Sequence, residues 1–184
     1  PRALAARHVT SPSDLDYEFK EMLSPWDLKN CKEAGEAIAD AIWKQKKIVI
    51  IGDYDCDGAT AVSVGILGLQ ALGAFNVSYL IPDRDKDGYG LSPQLVDRAA
   101  AASAEFIITV DNGISSVAAV EHAKALGLET IVTDHHLPGD EIPDTLVVNP
   151  NQRGDTFPSK SLAGVGVIFY VLIAVRSALR AKGA

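Results

Sequence analysis

Short apolar runs alternate with helical stretches from Lys47 to the end of this 184-residue chain. The runs are continuously apolar rather than alternating, which is typical of parallel strands covered on both faces. Strands are predicted at residues 48–51, 77–81, 106–110, 129–133 and 145–148. Helices are predicted at residues 59–72, 93–102, 117–126 and 165–181. This order predicts an α/β fold with a doubly wound, mainly parallel sheet of about five strands and helices on both faces.

The segment before the first strand has a helical pattern. Its apolar residues recur at three-and-four spacing from Asp14 to Lys47, with a break at Ser24-Pro25. We therefore predict two parts of the chain. A short helical preface occupies residues 1–46, and the α/β domain occupies residues 47–184.

Three aspartates at alternate positions follow the first predicted strand directly. They are Asp53, Asp55 and Asp57, and Gly58 comes after them. Carboxylates gathered at the end of a buried strand repel one another and lose hydration unless hard divalent cations neutralise them. The run therefore predicts a metal site.

Two later strands are also followed by side chains that can bind metal. Asp111 follows the third predicted strand, and Asp134, His135 and His136 follow the fourth. Ligands of doubly wound sheets bind beyond the carboxyl ends of the strands, so these groups are expected to converge there. The paired histidines favour metal ligation and contact with a phosphate. A two-metal site also needs a bridging acid from a strand between the others, and Asp111 is the candidate.

Two other sites with aspartates at this spacing fit the chain less well. An EF-hand calcium loop needs an acid at its twelfth position, where Val64 stands, and a helix rather than a strand before it. A phosphatase of the haloacid dehalogenase type has Asp-x-Asp-x-Thr or Val after its first strand, and it does not call for paired histidines. Both interpretations are disfavoured.

The loop at residues 82–92 mixes charged side chains with glycines. Gly88 and Gly90 flank Tyr89, which suggests close approach of the backbone to a ligand. Arg84 and Tyr89 are therefore candidate contacts to a phosphate or sugar. A solvated loop explains the same charges, so both interpretations stay open.

The formal net charge of −7 at first argues against a polyanionic partner, since nucleic acids are usually met by a basic face. Five of the aspartates belong to the predicted site, however, and two divalent cations there would offset part of this charge. Net charge therefore does not exclude a nucleic-acid substrate.

The cysteine content and the pattern of apolar residues indicate the cellular compartment in which the protein is expected. The two cysteines and the lack of a leader pattern favour a reducing, cytoplasmic location. The longest apolar stretch, residues 165–175, is shorter than the roughly 20 residues that span a bilayer. We predict that it is a core helix, and no membrane partner is expected.

Six motifs, in this order along the chain, resemble the DHH phosphoesterase superfamily and, within it, the RecJ family of single-strand exonucleases. The motifs are Asp-Tyr-Asp-Cys-Asp-Gly, Asp-Gly-Tyr-Gly-Leu-Ser, Val-Asp-Asn-Gly-Ile-Ser-Ser, Thr-Asp-His-His-Leu-Pro-Gly, Asn-Pro-Asn and Leu-Ala-Gly-Val-Gly. Several motifs together are far more specific than the Asp-His-His triplet alone. The resemblance covers nearly the whole chain and makes residues 47–184 a catalytic domain.

The resemblance implies a 5′ to 3′ exonuclease on single-stranded DNA that acts in DNA repair and recombination. It implies a two-metal site for Mn²⁺ or Mg²⁺ and leaves replication and repair proteins as candidate partners. His136 would lie beside the scissile phosphate, with His136 and Asp111 as the catalytic residues, and Asp134 would support the histidines. Asn112 joins Arg84 and Tyr89 as a candidate substrate contact. The implied metal ligands are Asp53, Asp55, Asp57, Asp111 and His135.

In proteins of this family, a further metal-binding aspartate follows the long last helix, beyond the position of Ala184. The family's second catalytic domain and its oligonucleotide-binding domain also lie outside this chain, so we expect a fragment. Two alternatives remain open. One is a DHH phosphoesterase that acts on a small nucleotide or pyrophosphate, and the other is a non-catalytic replication scaffold, in which degenerate ligands would be expected.

Overall fold

The structure is a computed structural model that describes residues 2–7, 9–16, 18–83, 87–88 and 90–184. Within these residues, parallel strands form a sheet in the order β2-β1-β3-β4-β5. The strands are β1 Ile48–Ile51, β2 Val77–Leu80, β3 Phe106–Val110, β4 Glu129–Thr133 and β5 Leu146–Val148. The helices are α1 Arg2–Ala5, α2 Cys31–Trp43, α3 Cys56–Ala71, α4 Pro93–Ala101, α5 Val117–Ala125 and α6 Gly164–Ala181.

The predicted fold class is confirmed, and the strand bounds agree with the prediction to within one residue. Helix α6 begins one residue earlier than predicted, and α3 begins three residues earlier. Asp55 accepts a hydrogen bond from the Gly58 backbone N–H at 2.8 Å and thereby starts α3 at Cys56. This early start places Asp57 in the first turn of α3.

The preface is less helical than predicted. Short 3₁₀ turns, rather than a helix, occupy Pro12–Leu15, Phe19–Glu21 and Pro25–Asp27. Only α2 is a long helix among the described residues there, and it packs tightly on α6, because a Cβ at Gly35 would lie 2.5 Å from the Cβ of Ala174. The helix thus shares the core of the sheet, and the boundary at residue 46 stays a prediction.

The sheet has a helical layer on each face. Ile48 and Ile50 of β1 contribute to the core that contains α2, α3 and α6. Val49 and Ile51 point the other way, into the core beneath α4 and α5. Because both faces are covered, β1 is apolar at every position, and only its carboxyl end is available for polar chemistry.

The last helix, α6, is long and apolar enough to cross a bilayer by length and composition alone. Half of it is buried, however, and its buried side chains lie in the core with those of α2 and α3. This packing is typical of a core helix.

A topological switch point lies between β1 and β3. The chain leaves β1 toward β2 on one side, and later continues from β3 toward β5 on the other. In such sheets, the crevice at the carboxyl ends of the two central strands is the usual ligand site. Asp53 follows β1, and Asp111 follows β3, so both acids lie at this crevice.

Candidate metal centre

Acids and imidazoles from three strand ends meet in two overlapping groups. Ligand atoms of Asp53, Asp55 and Asp111 all lie within 4.8 Å of one another, and so do ligand atoms of Asp111, His135 and His136. Asp111 belongs to both groups. It therefore lies where a bridging ligand is predicted, although its role as a bridge remains a prediction.

Asp111 is buried without the hydrogen bonds that a buried carboxylate normally has. The residue is 1% exposed, and neither carboxylate oxygen accepts a hydrogen bond from the described residues. Nε2 of His135 lies 2.9 Å from Oδ1 of Asp111 and forms an ion pair with it when the imidazole is protonated. Burial, followed by the charges of Asp57 and Asp55, raises the pKa of Asp111 to about 7. A buried carboxylate that lacks these hydrogen bonds suits a cation that binds both of its oxygens.

The backbone of Asp111 is also unusual. Its φ angle is 63°, in the left-handed region that few residues other than glycine adopt. A short polar side chain such as aspartate tolerates this region better than a branched one. The turn directs the chain from β3 into the loop before α5, and such sparsely populated conformations are frequent at functional sites.

Two acids of the first aspartate run also act as helix caps. Asp55 caps α3, whereas Asp57 accepts hydrogen bonds from the backbone N–H groups of Gly164 at 3.1 Å and Val165 at 3.3 Å. Asp57 thus caps α6, which has no cap from its own preceding side chain. Its Oδ2 also lies 3.5 Å from Nε2 of His135. Asp57 is outside both three-residue groups, so its role as a metal ligand stays a prediction.

Glycines allow the elements around the centre to approach one another. A Cβ at Gly164 would lie 2.4 Å from Oδ1 of Asp111, and a Cβ at Gly58 would lie 2.5 Å from the carbonyl oxygen of Asp53. Contacts this short do not occur, so any larger residue would move the neighbouring aspartate. The first turns of α3 and α6 therefore need glycine beside the metal centre.

Asp134 contacts both histidines, and it is itself 1% exposed. Its Oδ1 accepts the backbone N–H groups of His135 at 2.7 Å and His136 at 3.2 Å, and it lies 2.7 Å from Nδ1 of His136. Because a carboxylate can only accept, Nδ1 of His136 carries the proton. Hydrogen bonding to Asp134 is the main cause that raises the pKa of His136.

Two asparagines after β5 position the same histidines from the other side. Nδ2 of Asn149 donates to the carbonyl oxygen of His136 at 2.9 Å, and Nδ2 of Asn151 donates to that of His135 at 2.6 Å. We did not predict this role from the sequence. The sequence did contain one indication of it, because Asn149 directly follows a predicted strand of the same parallel sheet.

Of the three candidate substrate contacts, one lies within the described residues. Asn112 is fully buried, and its Nδ2 donates to the carbonyl oxygens of Ile51 at 3.1 Å and Val110 at 2.9 Å. These bonds join the ends of β1 and β3, so Asn112 holds the crevice in shape. Direct contact with substrate stays a prediction. Arg84 and Tyr89 lie outside the described residues.

Comparisons with known proteins agree with the motifs. Residues 47–183 match the N-terminal domain of the DHH family. The single-stranded-DNA-specific exonuclease RecJ of Salmonella typhimurium is 53% identical over 184 residues, which are 99% of this chain and 32% of that protein. This chain therefore spans about a third of the length of that curated relative.

Two solved structures resemble the fold closely. A crystal structure of exonuclease RecJ bound to manganese has a TM-score of 0.77 and 37% identity, over 86% of this chain and 40% of that one. RecJ of Thermus thermophilus in complex with Mn²⁺ has a TM-score of 0.78 and 34% identity, over 97% of this chain and 25% of that one.

Proposed function

Because this chain belongs to the DHH family, we propose that it is the metal-binding catalytic part of a 5′ to 3′ exonuclease that degrades single-stranded DNA. The main observation in support of this proposal is the buried carboxylate of Asp111, which belongs to both groups of candidate ligands. Similarity to relatives named as single-stranded-DNA-specific exonucleases supports the substrate. DNA repair and recombination are the proposed context, in the cytoplasm, with replication and repair proteins as partners.

The donor atoms at the site fit Mn²⁺ or Mg²⁺. Carboxylate oxygens are the ligands that these hard cations prefer, and an imidazole nitrogen is acceptable to Mn²⁺. Two bound ions would supply Lewis-acid polarisation of the phosphate and of the attacking water. The residues that would hold them are Asp53, Asp55, Asp57, Asp111 and His135.

His136 contributes charge at the phosphate. The hydrogen bond to Asp134 raises the pKa of His136, so its positively charged form persists to higher pH than that of an ordinary histidine. An imidazolium held in place can donate a hydrogen bond to a phosphate oxygen that gains negative charge in the transition state. Asp134 fixes the ring orientation that this role requires.

Two helix N-termini add to the local positive potential. The first turn of α3 starts at Cys56, and that of α6 starts at Gly164, beside Asp57 and Asp111. Backbone N–H groups at a helix N-terminus stabilise carboxylates and bind phosphate groups. Both helices therefore favour the gathering of acids at this edge and the approach of an anionic substrate.

End-labelled single-stranded DNA tests the proposal with the full-length protein. A 5′ label should be released first as a mononucleotide in Mn²⁺ or Mg²⁺, and no label should be released in chelator. Asp53→Asn should lower the rate at least about 100-fold because it removes a ligand charge. The matched control is Asp144→Asn, which changes an exposed acid that pairs with Lys124.

The same assay separates the two alternatives. Faster turnover of a dinucleotide or pyrophosphate than of long single-stranded DNA would favour a phosphoesterase for small substrates. Absence of turnover on all of these, despite bound metal, would favour a non-catalytic scaffold. Against a scaffold, each ligand position that the family resemblance places within this chain carries a residue capable of binding metal.

A further inference from the structure

A cavity of about 510 Å³ opens beside the metal centre, between the first turns of α4 and α5. Its volume falls within the roughly 300–1,000 Å³ typical of small-molecule sites. Leu91, Ser92, Ile114, Ser115, Ala118 and His136 are among its lining residues.

The lining combines an apolar floor with a polar rim. Leu91, Ile114 and Ala119 are buried beneath the cavity, whereas Ser115 and Ser116 reach its surface. An apolar floor with a few polar groups at the edge is the usual lining for a ring system that carries hydroxyl and carbonyl groups.

The charges of the lining residues indicate which part of a nucleotide fits this cavity. Among the described residues that line it, there is neither lysine nor arginine, and Asp134 contributes a carboxylate. Phosphate groups are usually met by basic side chains, and His136, the basic group among the described lining residues, is assigned to the scissile phosphate by the proposed function, which leaves no basic side chain there for a second phosphate. The lining suits the uncharged part of a nucleotide, the sugar and base.

Asp134 and His136 connect the cavity to the metal centre. His136 lines the cavity and also belongs to the ligand group of Asp111 and His135. One oxygen of Asp134 lies 2.7 Å from Nδ1 of His136, and the other accepts the backbone N–H of Ile114 at 2.9 Å. The same carboxylate therefore fixes the imidazole and the cavity floor relative to each other.

We propose that this cavity binds the nucleoside of one nucleotide that flanks the scissile phosphate. The inference rests on the proposed function, which puts that phosphate beside His136. The base and sugar lie on Leu91, Ile114 and Ala119, and the serines of the rim bond to their polar atoms. A cavity for one nucleoside also suits removal of one nucleotide at a time.

Two phosphodiesters that differ in the nucleoside provide the test on the full-length protein with Mn²⁺. The first is the p-nitrophenyl ester of thymidine 5′-monophosphate, and the second is bis(p-nitrophenyl) phosphate, which has no nucleoside. Ala118→Leu narrows the cavity at an exposed position of α5. It should lower kcat/KM at least 10-fold for the thymidine ester and less than 2-fold for the second ester.

The matched control is Ala125→Leu, which changes another exposed alanine of α5 that does not line this cavity. It should leave both substrates unaffected. Unchanged turnover of the thymidine ester by Ala118→Leu, or an equal loss on both esters, would overturn the inference. If Ala118→Leu does not fold, Ser115→Leu at the exposed rim provides the same comparison.

A binding experiment on the unmodified chain needs no catalysis. Titration with thymidine 5′-monophosphate should shift the NMR signals of the backbone amides of Ile114, Ser115 and Ala118. The amides of Val62 and Leu67, in a separate groove on α3, should not shift. Absence of chemical-shift changes around Ser115 at millimolar nucleotide would contradict the inference. Failure of the wild-type protein to release label from single-stranded DNA would instead refute the proposed exonuclease, and the titration would still decide the cavity.

Discussion

The carboxylate of Asp57 accepts a hydrogen bond from the backbone N–H of Gly164, at 3.1 Å. A residue of the first turn of α3 therefore caps the first turn of α6, more than 100 positions later in the chain. The bond holds the predicted metal ligand and the helix that contacts Asp111 in one rigid arrangement. Substitutions on either side of this contact are expected to affect both stability and metal binding.

Replacement of Asp57 separates these two effects. Asp57→Ala removes the cap of α6 and should lower the free energy of unfolding by about 1–2 kcal/mol. The N–H groups of Gly164 and Val165 bond to different oxygens of Asp57, and Asp57→Asn keeps one of these oxygens, so it should retain one bond and part of that stability. Urea unfolding in chelator measures the difference. Equal stability of Asp57→Ala and the wild type would show that the cap contributes nothing.

Metal binding should respond differently to the same pair of substitutions. Both remove the charge of Asp57, so both should weaken Mn²⁺ binding at least about 10-fold if Asp57 is a ligand. Titration calorimetry provides the measurement. Wild-type affinity in Asp57→Asn would leave Asp57 with a capping role alone.

Gly164→Ala tests the close approach of α6 to the metal centre. The new Cβ would lie 2.4 Å from Oδ1 of Asp111, so the carboxylate or the helix must shift. We expect at least a 10-fold loss of Mn²⁺ affinity, although alanine is intrinsically the better helix former by about 1 kcal/mol.

Gly166→Ala in the same helix is the matched control. The three atoms nearest to its Cβ would all belong to the side chain of Leu162, which can move aside. Affinity for Mn²⁺ should therefore stay within about 2-fold of the wild type, as expected for a site without a shared partner. An equal loss in both variants would mean that helix α6, rather than contact with Asp111, is responsible.

Much of the fold was predictable because the central strands β1 and β3 are buried on both faces. Runs such as Ile48–Ile51, which is wholly apolar, and Phe106–Val110, in which Thr109 is the one polar residue, leave few alternatives, and each is followed by a polar turn. The preface was predicted less well. Its apolar spacing fits a helix, but Pro12 and Pro25 each start a short 3₁₀ turn instead.

The site was predictable where a residue directly follows a strand. Asp53, Asp111 and Asp134 are examples, because parallel strands place their carboxyl ends at one edge. Contacts between distant segments were not predictable. Neither the bond from Gly164 to Asp57 nor the bond from Asn149 to the His136 carbonyl has a local pattern.

The raised pKa of Asp111 predicts a pH effect on stability. The pKa of Asp111 is about 7 in the folded protein, whereas the ordinary value for an aspartate, expected in the unfolded chain, is 3.8. The folded state therefore binds this proton more tightly than the unfolded state does. The contribution of Asp111 to stability is therefore full below pH 4 and is lost as the pH rises toward 7. Urea unfolding of the metal-free chain between pH 5 and about 8 should show this loss.

Asp111→Asn is the comparison for that experiment. An amide of the same shape does not titrate, so the part of the pH dependence due to Asp111 should disappear. The variant should be more stable than the wild type above pH 7 in chelator, because a buried charge that accepts no hydrogen bond from the described residues has been removed. Parallel stability profiles of the two proteins would contradict the shifted pKa.

Asn149→Asp tests the support of the histidine turn. The substitution replaces the Nδ2 donor by an acceptor that faces the carbonyl oxygen of His136, in a fully buried position. We expect a loss of about 1–3 kcal/mol in the free energy of unfolding, from an unsatisfied buried acceptor. Asn76→Asp, at an exposed position before β2, is the control and should be nearly neutral. A neutral Asn149→Asp would exclude this role.

The bond between Asp134 and His136 predicts a change in histidine titration. The hydrogen bond to Asp134, together with the negative charge of that carboxylate, raises the pKa of His136, so the imidazolium persists to higher pH. Asp134→Asn keeps the shape of the side chain but loses the charge. The pKa of His136 should therefore fall, and NMR titration of its ring protons in the metal-free chain measures this shift.

The same substitution should move the pH profile of the full-length enzyme if the imidazolium assists catalysis. Activity that depends on a protonated His136 is lost as the pH rises above its pKa. A lower pKa in Asp134→Asn therefore moves the alkaline limb to lower pH. Asp144→Asn, at an exposed acid that pairs with Lys124, should leave the limb unchanged. An unmoved limb in Asp134→Asn, with a lowered pKa of His136, would show that the positive charge of this histidine is not used in turnover.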